Sequence, residues 1–407
     1  MIDLDEKIRV FARDAIPTLK RNVFPQENYR LTSADKLSML VAFCGIVPED
    51  KSLLGKTLAL GFEDETTKRL VYQTAPVIDF HYSPFKIIGT GNKTVGTLVY
   101  EVPVELQSQF GKTLEWTVSF GGNFLRQRNH HFTQSDRSGN LLPVTLLVNP
   151  KTDGCNEMCK GCSRVAMNAF SPVTCDYIEE SARVVDEDFA TRFPDVDKLE
   201  LKYLNVMTGC QPNSREEYGM FLKTMQAYKA LGYNPVFFFF TNIIEDEEQM
   251  RTLAEEGALG YGSTLETIND QIRLKNWGKR KGGKTFQQHL ETLRRITDIF
   301  TIAEVSMVFG QDDFAQLSEG IATLRENQVT IAGNIQRGYN FAQFKGVHPS
   351  VWKKGLAYFT DTFEQVLESH VGLLSTARYI RERGLECLAN RLGRPVEDYE
   401  LPYKYRG

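Results

Sequence analysis

A strand–loop–helix pattern that repeats from about residue 142 to residue 335 constrains the fold of this chain more than any other feature. Strand-length apolar runs are predicted over residues 142–148, 198–207, 235–241, 259–264, 303–309 and 329–335. The helices predicted between them cover residues 176–193, 215–231, 246–256, 285–299 and 314–326. Strands that are joined through helices pair in parallel, so six such strands predict a parallel α/β sheet with helices outside it, either doubly wound or curled as a barrel.

The sequence before this repeat is organised differently. Residues 5–20 and 33–44 predict two short amphipathic helices, and strand-like runs between glycine turns follow from residue 68. These runs predict a small antiparallel sheet. The polar stretch at residues 133–140 predicts a linker into the repeat.

Three parts are therefore predicted along the chain. Residues 1–140 are predicted to form an N-terminal α+β domain, with substrate recognition or capping as the roles considered for it, and residues 141–340 are predicted to form the βα unit. Residues 341–407 form a C-terminal extension, which is predicted to be helical over residues 351–391.

Composition excludes several classes of protein. The chain has 407 residues, 42% hydrophobic and 25% charged, with 48 Lys and Arg against 52 Asp and Glu, for a net charge of −4. These values exclude disordered, collagen-like and transmembrane classes, and they disfavour a nucleic acid or an anionic membrane as the main partner. The acidic N-terminus lacks a hydrophobic signal region, so we expect the chain to stay in the cytoplasm.

Three of the seven cysteines lie within eight residues. Cys155, Cys159 and Cys162 follow the first strand of the repeat, whereas the other four are scattered: Cys44, Cys175, Cys210 and Cys387. Active sites of βα folds form at the carboxyl ends of the strands, so both the spacing and the position of this cluster indicate chemistry.

Three thiolates are one short of the four that complete an iron–sulfur cube, and they leave one iron open to a ligand. Structural zinc with a fourth ligand from Cys175 or a histidine is an alternative, and inert buried cysteines are another. Zinc sites usually use paired Cys-x-x-Cys knuckles, and no second pair occurs in the sequence, which favours the iron–sulfur interpretation.

The segment Cys155-x-x-x-Cys159-x-x-Cys162 after a strand, followed by repeated βα units, resembles the radical S-adenosylmethionine (SAM) superfamily over about residues 141–340. The resemblance implies a partial (β/α)6 TIM-type barrel, with a 4Fe-4S cluster on the three cysteines. It also implies that the open iron binds the methionine part of S-adenosyl-L-methionine, whose reductive cleavage gives a 5′-deoxyadenosyl radical that abstracts a substrate hydrogen. A flavodoxin- or ferredoxin-type reductant is the implied electron donor. Since only Cys387 lies beyond residue 210, one cluster is expected.

The family's Gly-Gly-Glu-Pro motif corresponds here to Gly209-Cys210-Gln211-Pro212. The resemblance implies that Gly209 and Gln211 contact the methionine amino group, although Gln211 lacks the charge of the usual carboxylate. Cys210 would lie beside the cofactor, where a thiol can donate a hydrogen atom to a product radical; a buried packing cysteine is the alternative.

A second family segment, Gly-x-x-x-Glu-x-x-x-Asp, resembles Gly262 to Asp270. It implies that Glu266 binds ribose hydroxyls and that Arg273 pairs with the methionine carboxylate. For Glu266, a carboxylate stabilised at a helix N-terminus is the alternative.

Three further residues are implied in cofactor binding by their positions. They are Gly161, whose backbone would approach the adenine, Asn242 after the third strand, and Ser306 in the fifth.

The sequence thus predicts a radical SAM enzyme that acts on a small molecule in cofactor or natural-product biosynthesis, with its reaction class open. Action on a peptide recognised by the N-terminal domain is the first alternative. A non-catalytic iron–sulfur or zinc-binding protein is the second, which the missing fourth cysteine disfavours. The basic run at residues 279–284 predicts either a phosphate-binding segment or a solvated loop.

Overall fold

The N-terminal part of the chain folds as two helices followed by a six-stranded sheet. In this computed structural model the helices are α1 (Leu4–Lys20) and α2 (Ser33–Cys44). The strands are β1 (Val47–Pro48), β2 (Thr57–Glu63), β3 (Leu70–Pro76), β4 (Phe85–Ile88), β5 (Val95–Glu101) and β6 (Thr113–Gly121). Their order is β1-β4-β5-β6-β2-β3, and every neighbouring pair is antiparallel except β1 with β4. The predicted antiparallel sheet is confirmed, with one parallel pair at its edge.

The structure describes residues 4–20, 33–51, 57–63, 70–76, 83–88, 95–121, 130–137, 140–148, 159, 178–201, 203–207, 213–240, 244–300, 302–336 and 347–367.

A second, seven-stranded sheet follows. Its strands are β7 (His130–Arg137), β8 (Asn140–Val148), β9 (Tyr203–Met207), β10 (Val236–Phe240), β11 (Ala258–Glu266), β12 (Ile302–Phe309) and β13 (Thr330–Ile335). The strands lie in sequence order, and the six from β8 to β13 are mutually parallel. The predicted fold class, an α/β partial (β/α)6 barrel beside a smaller N-terminal α+β unit, is confirmed.

Helices occupy the connections between these strands. A short helix α3 (Gln107–Phe110) precedes β6, and the larger sheet is accompanied by α4 (Ile178–Arg192), α5 (Ser214–Ala230), α6 (Glu247–Glu255), α7 (Asp270–Asn276), α8 (Lys279–Gly282), α9 (Phe286–Ile299) and α10 (Phe314–Glu326). Side-chain N-caps fix where most of them begin, because each accepts an otherwise unpaired backbone N–H of the first turn. The caps are Asn213, Asp246, Asn269, Thr285 and Asp313.

The linker predicted for residues 133–140 is wrong. Residues His130–Arg137 form β7, which pairs antiparallel with β8 and closes one edge of the larger sheet. A polar sequence suits an edge strand, because one side of its backbone has no strand partner. β7 therefore lies in the larger sheet although it falls within residues 1–140; the domain boundaries themselves stay a prediction.

The two faces of the larger sheet differ in chemistry. The outer face packs against helices. On this face Phe239 of β10 stacks on Phe221 of α5, with ring centroids 4.4 Å apart. Val305, Met307 and Phe309 of β12 lie on the same outer face and are fully buried. Burial of this apolar surface is the main force that holds helices to the sheet.

The C-terminal residues pack against the N-terminal helices. The structure has α11 (Pro349–Lys354) and α12 (Ala357–Leu367) within the predicted helical tail, whose residues 368–391 lie outside the described residues. Phe43 of α2 contacts Phe11, Trp352 and Phe359 at centroid distances of 4.3, 5.4 and 5.3 Å. Within the described parts of the chain, no helix is long and apolar enough to cross a membrane.

Candidate functional site

Four of the eleven predicted site residues lie in the described part of the chain: Cys159, Glu266, Arg273 and Ser306. Seven lie outside it, namely Cys155, Gly161, Cys162, Gly209, Cys210, Gln211 and Asn242. The described residues form no group of three or more His, Cys, Asp or Glu side chains that could hold a metal ion. Only one of the three predicted cluster ligands is among them.

Cys159 lies beside the connection that follows β11. Its side chain is buried, with 4% of the residue exposed. Its sulfur accepts a hydrogen bond from the backbone N–H of Gly278, with 3.0 Å between nitrogen and Sγ. Gly278 stands between helices α7 and α8, so this bond joins the predicted cluster loop to a segment more than a hundred residues further along the chain.

Glu266 ends β11 in an unusual backbone conformation. The strand is irregular between Thr264 and Glu266, and Glu266 has φ = +70°, a left-handed value that disfavours most side chains. Its carboxylate is buried and accepts a hydrogen bond from Lys281 Nζ at 2.7 Å. The ammonium group of Lys281 also lies 5.5 Å from the ring centroid of Trp277.

Glu266 and Cys159 therefore contact the same short segment. Trp277 immediately precedes Gly278, the amide donor to Cys159, and Lys281 lies in the α8 turn that follows. We call residues 277–282 the α7–α8 corner. Glu266, the predicted ribose ligand, and Cys159, a predicted cluster ligand, therefore both make hydrogen bonds to the α7–α8 corner.

Arg273 of α7 is fully buried, and its guanidinium donates three hydrogen bonds within its own loop. The guanidinium donates to the carbonyl oxygen of Thr267, to the Asp270 carboxylate, and from Nε to the carbonyl oxygen of Lys284 at 3.1 Å. Burial lowers the pKa of Arg273, against the raising effect of Asp270. These contacts hold the loop around α7 and α8 together; pairing of Arg273 with a methionine carboxylate stays a prediction.

Ser306 belongs to the inner face of the sheet, opposite the helices. The register places Asn205, Phe238 and Phe240 on this face, together with Gly262, Thr264, Glu304, Ser306, Thr330 and Asn334. Asn334 Nδ2 donates to Ser306 Oγ at 3.4 Å. Among described groups, the buried Oδ1 of Asn205 has no hydrogen-bond partner. A few polar groups among buried aromatic side chains are typical of a ligand-binding surface.

Gly262 allows an aromatic ring to lie close against the inner face. A Cβ atom at this position would lie 2.4 Å from Cδ2 and 2.8 Å from Cε2 of Phe240. Glycine is therefore required for the ring to approach the β11 backbone in this way.

Several functional candidates were missed by sequence reasoning. Asp312, which follows β12, accepts hydrogen bonds from Thr267 Oγ1 and from the backbone N–H groups of Asn269 at 2.9 Å and Ile268 at 3.3 Å. It thereby fixes the loop after β11. Burial raises the pKa of Asp312, although these three hydrogen bonds act in the opposite direction. A carboxylate just beyond the end of a parallel strand is the signal that would have found it.

Glu304 and Asn205 were also missed. Both are buried on the inner face, at 0% and 3% exposure. The signal was the period of two in β12, where Glu304 and Ser306 alternate with Ala303, Val305 and Met307.

The basic run at residues 279–284 is largely paired within the protein. Lys281 binds Glu266, and Lys284 forms an ion pair with Glu245. Neighbouring His289 is buried, and its Nε2 lies 3.2 Å from the carbonyl oxygen of Lys281. Two lysines of this run, for which the sequence left phosphate binding or a solvated loop open, thus hold the loop in place.

A groove of about 640 Å³ lies elsewhere, between α7 and α10. It is lined by Asn269, Phe286, Gln316 and Gly320 among others, and none of the predicted site residues lines it. Neither Cys159 nor any residue of the α7–α8 corner lines this groove.

No family model matches the chain. Over 189 residues the chain is 25% identical to the biotin synthase of Burkholderia mallei, a match that covers 45% of this chain. The chain spans about half the length of the curated relatives it matches, since 50% of that synthase is covered.

Two solved structures are similar at lower identity. SuiB of Streptococcus suis bound to the precursor peptide SuiA matches with a TM-score of 0.39 and 11% identity, over 56% of this chain and 48% of that one. Methylornithine synthase (PylB) matches with a TM-score of 0.38 and 14% identity, over 65% of this chain and 87% of that one.

Proposed function

We propose that this chain, a member of the radical SAM superfamily by its three-cysteine motif and its similarity to the biotin synthases, is an enzyme that cleaves S-adenosylmethionine reductively and abstracts hydrogen from a small polar molecule. Cys155, Cys159 and Cys162 would hold one 4Fe-4S cluster. The cluster would supply the electron that breaks the sulfonium bond and yields a 5′-deoxyadenosyl radical.

One observation carries the proposal. Cys159, the middle residue of the motif, is buried and its sulfur accepts a backbone N–H bond. Hydrogen-bond donors directed at cysteine sulfur suit a thiolate ligand, because the donor stabilises its negative charge. Cys159, the predicted cluster ligand that the structure describes, therefore has surroundings that suit an iron–sulfur cluster.

The chain's own residues would bind and orient the cofactor at the carboxyl ends of the strands. Glu266 is held by Lys281 with one carboxylate oxygen, and its second oxygen would accept from ribose hydroxyls. Gln211, Gly209, Asn242 and Gly161 are proposed cofactor contacts on the basis of the family resemblance, and Cys210 is the proposed hydrogen donor. Ser306 lies on the inner face, beside Thr264 in the register.

A polar substrate is supported by the inner face of the sheet. Glu304, Asn205 and Asn334 would offer it acceptors and an amide donor, since all three lie on that face. Phe238 and Phe240 would limit its size and exclude water from the site. Biosynthesis of a cofactor or natural product remains the proposed setting.

The test is anaerobic reconstitution with iron and sulfide, followed by dithionite and S-adenosylmethionine. The wild-type protein should show the spectrum of a 4Fe-4S cluster and release 5′-deoxyadenosine. Cys159→Ala should lose both. Cys44→Ala is the matched control, because Cys44 is a buried cysteine in the core at the end of α2 and should keep both signals.

Failure of the wild-type protein to bind a cluster or to release 5′-deoxyadenosine would reject the proposal. Substrate class is a separate result of the same assay. Faster release with pooled small metabolites supports the proposed substrate, whereas faster release only with peptides would replace it with a peptide.

A further inference from the structure

The α7–α8 corner presents a backbone amide to the sulfur of a proposed cluster ligand. The Gly278 N–H donates to Cys159 Sγ, with 3.0 Å between the nitrogen and the sulfur, and no side chain caps the start of α8. We infer that the Gly278 amide is a built-in hydrogen-bond donor to the cluster, and that it raises the cluster's reduction potential. This inference rests on the proposed function.

The sign of the effect follows from charge. One-electron reduction places additional negative charge on the cluster and its sulfur ligands. An N–H donor therefore stabilises the reduced form more than the oxidised form, which makes reduction easier. Buried surroundings strengthen the interaction, because little water screens it.

The amide is held in position from both sides. On the N-terminal side, Trp277 N–H donates to the carbonyl oxygen of Arg273 at 2.9 Å. On the C-terminal side, Gly282 N–H donates to the carbonyl oxygen of Gly278 itself at 2.7 Å. The donor thus has a fixed direction, which is the requirement for a preorganised interaction.

Charged side chains brace the same corner. Arg273 links the carbonyl oxygens of Thr267 and Lys284, and Lys281 links Glu266 to the ring of Trp277. Arg273 and Lys281 are therefore positioning residues for the amide, acting on the cluster through Gly278.

Close packing at Gly282 offers a way to displace the corner without changing any charge. A Cβ atom there would lie 2.4 Å from the carbonyl oxygen of Trp277 and 2.6 Å from that of Arg273. Both contacts are with backbone, so the corner would have to move. Gly219 in α5 is the matched control, because a Cβ there meets nothing within 4 Å.

The first experiment detects the hydrogen bond directly. Protein labelled with ¹⁵N-glycine is reconstituted and reduced, and pulsed EPR measures the coupling of ¹⁵N to the cluster spin. In the ¹⁵N-glycine-labelled wild type we expect a ¹⁵N coupling, and in ¹⁵N-glycine-labelled Gly278→Ala we expect it to be lost. The same variant labelled with ¹⁵N-alanine should show the coupling again, because alanine keeps the backbone N–H. A spectrum unchanged by Gly278→Ala, or a wild-type protein without coupling, would overturn the inference.

The second experiment measures the midpoint potential of the cluster by EPR-monitored titration. Gly282→Ala should shift it to a more negative value and weaken the ¹⁵N coupling, whereas Gly219→Ala should match the wild type. Equal potentials in all three proteins would overturn the inference while leaving the proposed function intact. A wild-type protein that binds no cluster would instead reject the proposed function.

Discussion

Glu266 combines a positive φ, burial and an ion pair in one residue, a combination that marks functional positions more often than ordinary strand residues. Lys281 depends on Glu266 for charge compensation, because the Lys281 side chain is only 15% exposed. Removing one partner of such a pair leaves a poorly solvated charge.

Glu266→Gln is therefore expected to lower the free energy of unfolding by about 1–3 kcal/mol, because the Lys281 ammonium loses its charged partner, and to weaken S-adenosylmethionine binding. Urea denaturation and equilibrium dialysis measure the two effects. Glu247→Gln is the control, since its partner Arg251 is at the surface and both side chains are about half exposed. That change should alter stability by less than about 0.5 kcal/mol. Unaltered cofactor affinity in Glu266→Gln would remove Glu266 from the site.

His289 makes the stability of the α7–α9 region depend on pH. Burial, together with repulsion from Arg273, Lys284 and Lys281, lowers the pKa of His289 to about 3. The unfolded chain protonates this histidine near its ordinary pKa of about 6.5. Between these two values the unfolded state binds more protons, so stability falls as the pH falls from about 6.5 towards 3.

His289→Gln should remove this contribution, which has a slope of at most about 1.4 kcal/mol per pH unit. Glutamine keeps an amide that can donate to the Lys281 carbonyl oxygen, and it does not titrate. Unfolding free energies at several pH values between 4 and 7 measure the slope. If the wild type and the variant lose stability equally over this range, His289 is not the titrating group.

The limits of sequence reasoning at the residue scale have physical causes. Glu266 and Arg273 were predicted from a motif spacing and Ser306 from its place in the fifth strand, and their roles in cofactor binding stay predictions. Gly278 was missed because its role is a backbone N–H, which any residue except proline carries. Asp312 was missed because its partners, Thr267 to Asn269, come from the connection after a different strand.

At the scale of elements, the sequence predicted most of the larger sheet. The helix from residue 314 to 326 has the observed ends, and β12 differs from its prediction by one residue. Apolar runs and capping residues carry that information locally. β7 was missed because its polar sequence forms a strand only by pairing with β8, a partner that no local pattern reveals.

The close approach of Phe240 to β11 gives an element-scale prediction. Gly262→Ala should destabilise the protein by about 1–3 kcal/mol, because the new Cβ would overlap the Phe240 ring and push β10 and β11 apart. Chemical denaturation measures the change. Gly219→Ala in α5 should be neutral or stabilising by up to about 1 kcal/mol, because a Cβ atom there would meet nothing within 4 Å. Equal stabilities for both variants would contradict the packing described for the inner face.

On the scale of the whole molecule, an aromatic cluster joins the two ends of the described chain. Phe43 is fully buried among Phe11, Trp352 and Phe359, which belong to α1, α11 and α12. This contact was not predictable, because nothing in local sequence links residues three hundred positions apart.

Phe43→Ala should lower the free energy of unfolding by about 3–5 kcal/mol through the cavity it leaves. Val104→Ala, at a side chain that is 81% exposed, should change it by less than about 0.5 kcal/mol. Thermal or urea unfolding compares the two. A loss for Phe43→Ala no greater than that for Val104→Ala would show that the helices at the two ends do not depend on this cluster.

We propose that Cys155, Cys159 and Cys162 hold a cluster that activates S-adenosylmethionine, and Cys159 is the one of the three that the structure describes, in contact with the α7–α8 corner. The most direct test counts 5′-deoxyadenosine released per reduced cluster under strictly anaerobic conditions. In the wild type and in Cys44→Ala, we expect 5′-deoxyadenosine to appear as the EPR signal of the reduced cluster disappears. In Cys159→Ala we expect neither the signal nor the product. A Cys159→Ala protein that released 5′-deoxyadenosine at the wild-type level, or a wild-type protein that released none, would contradict it.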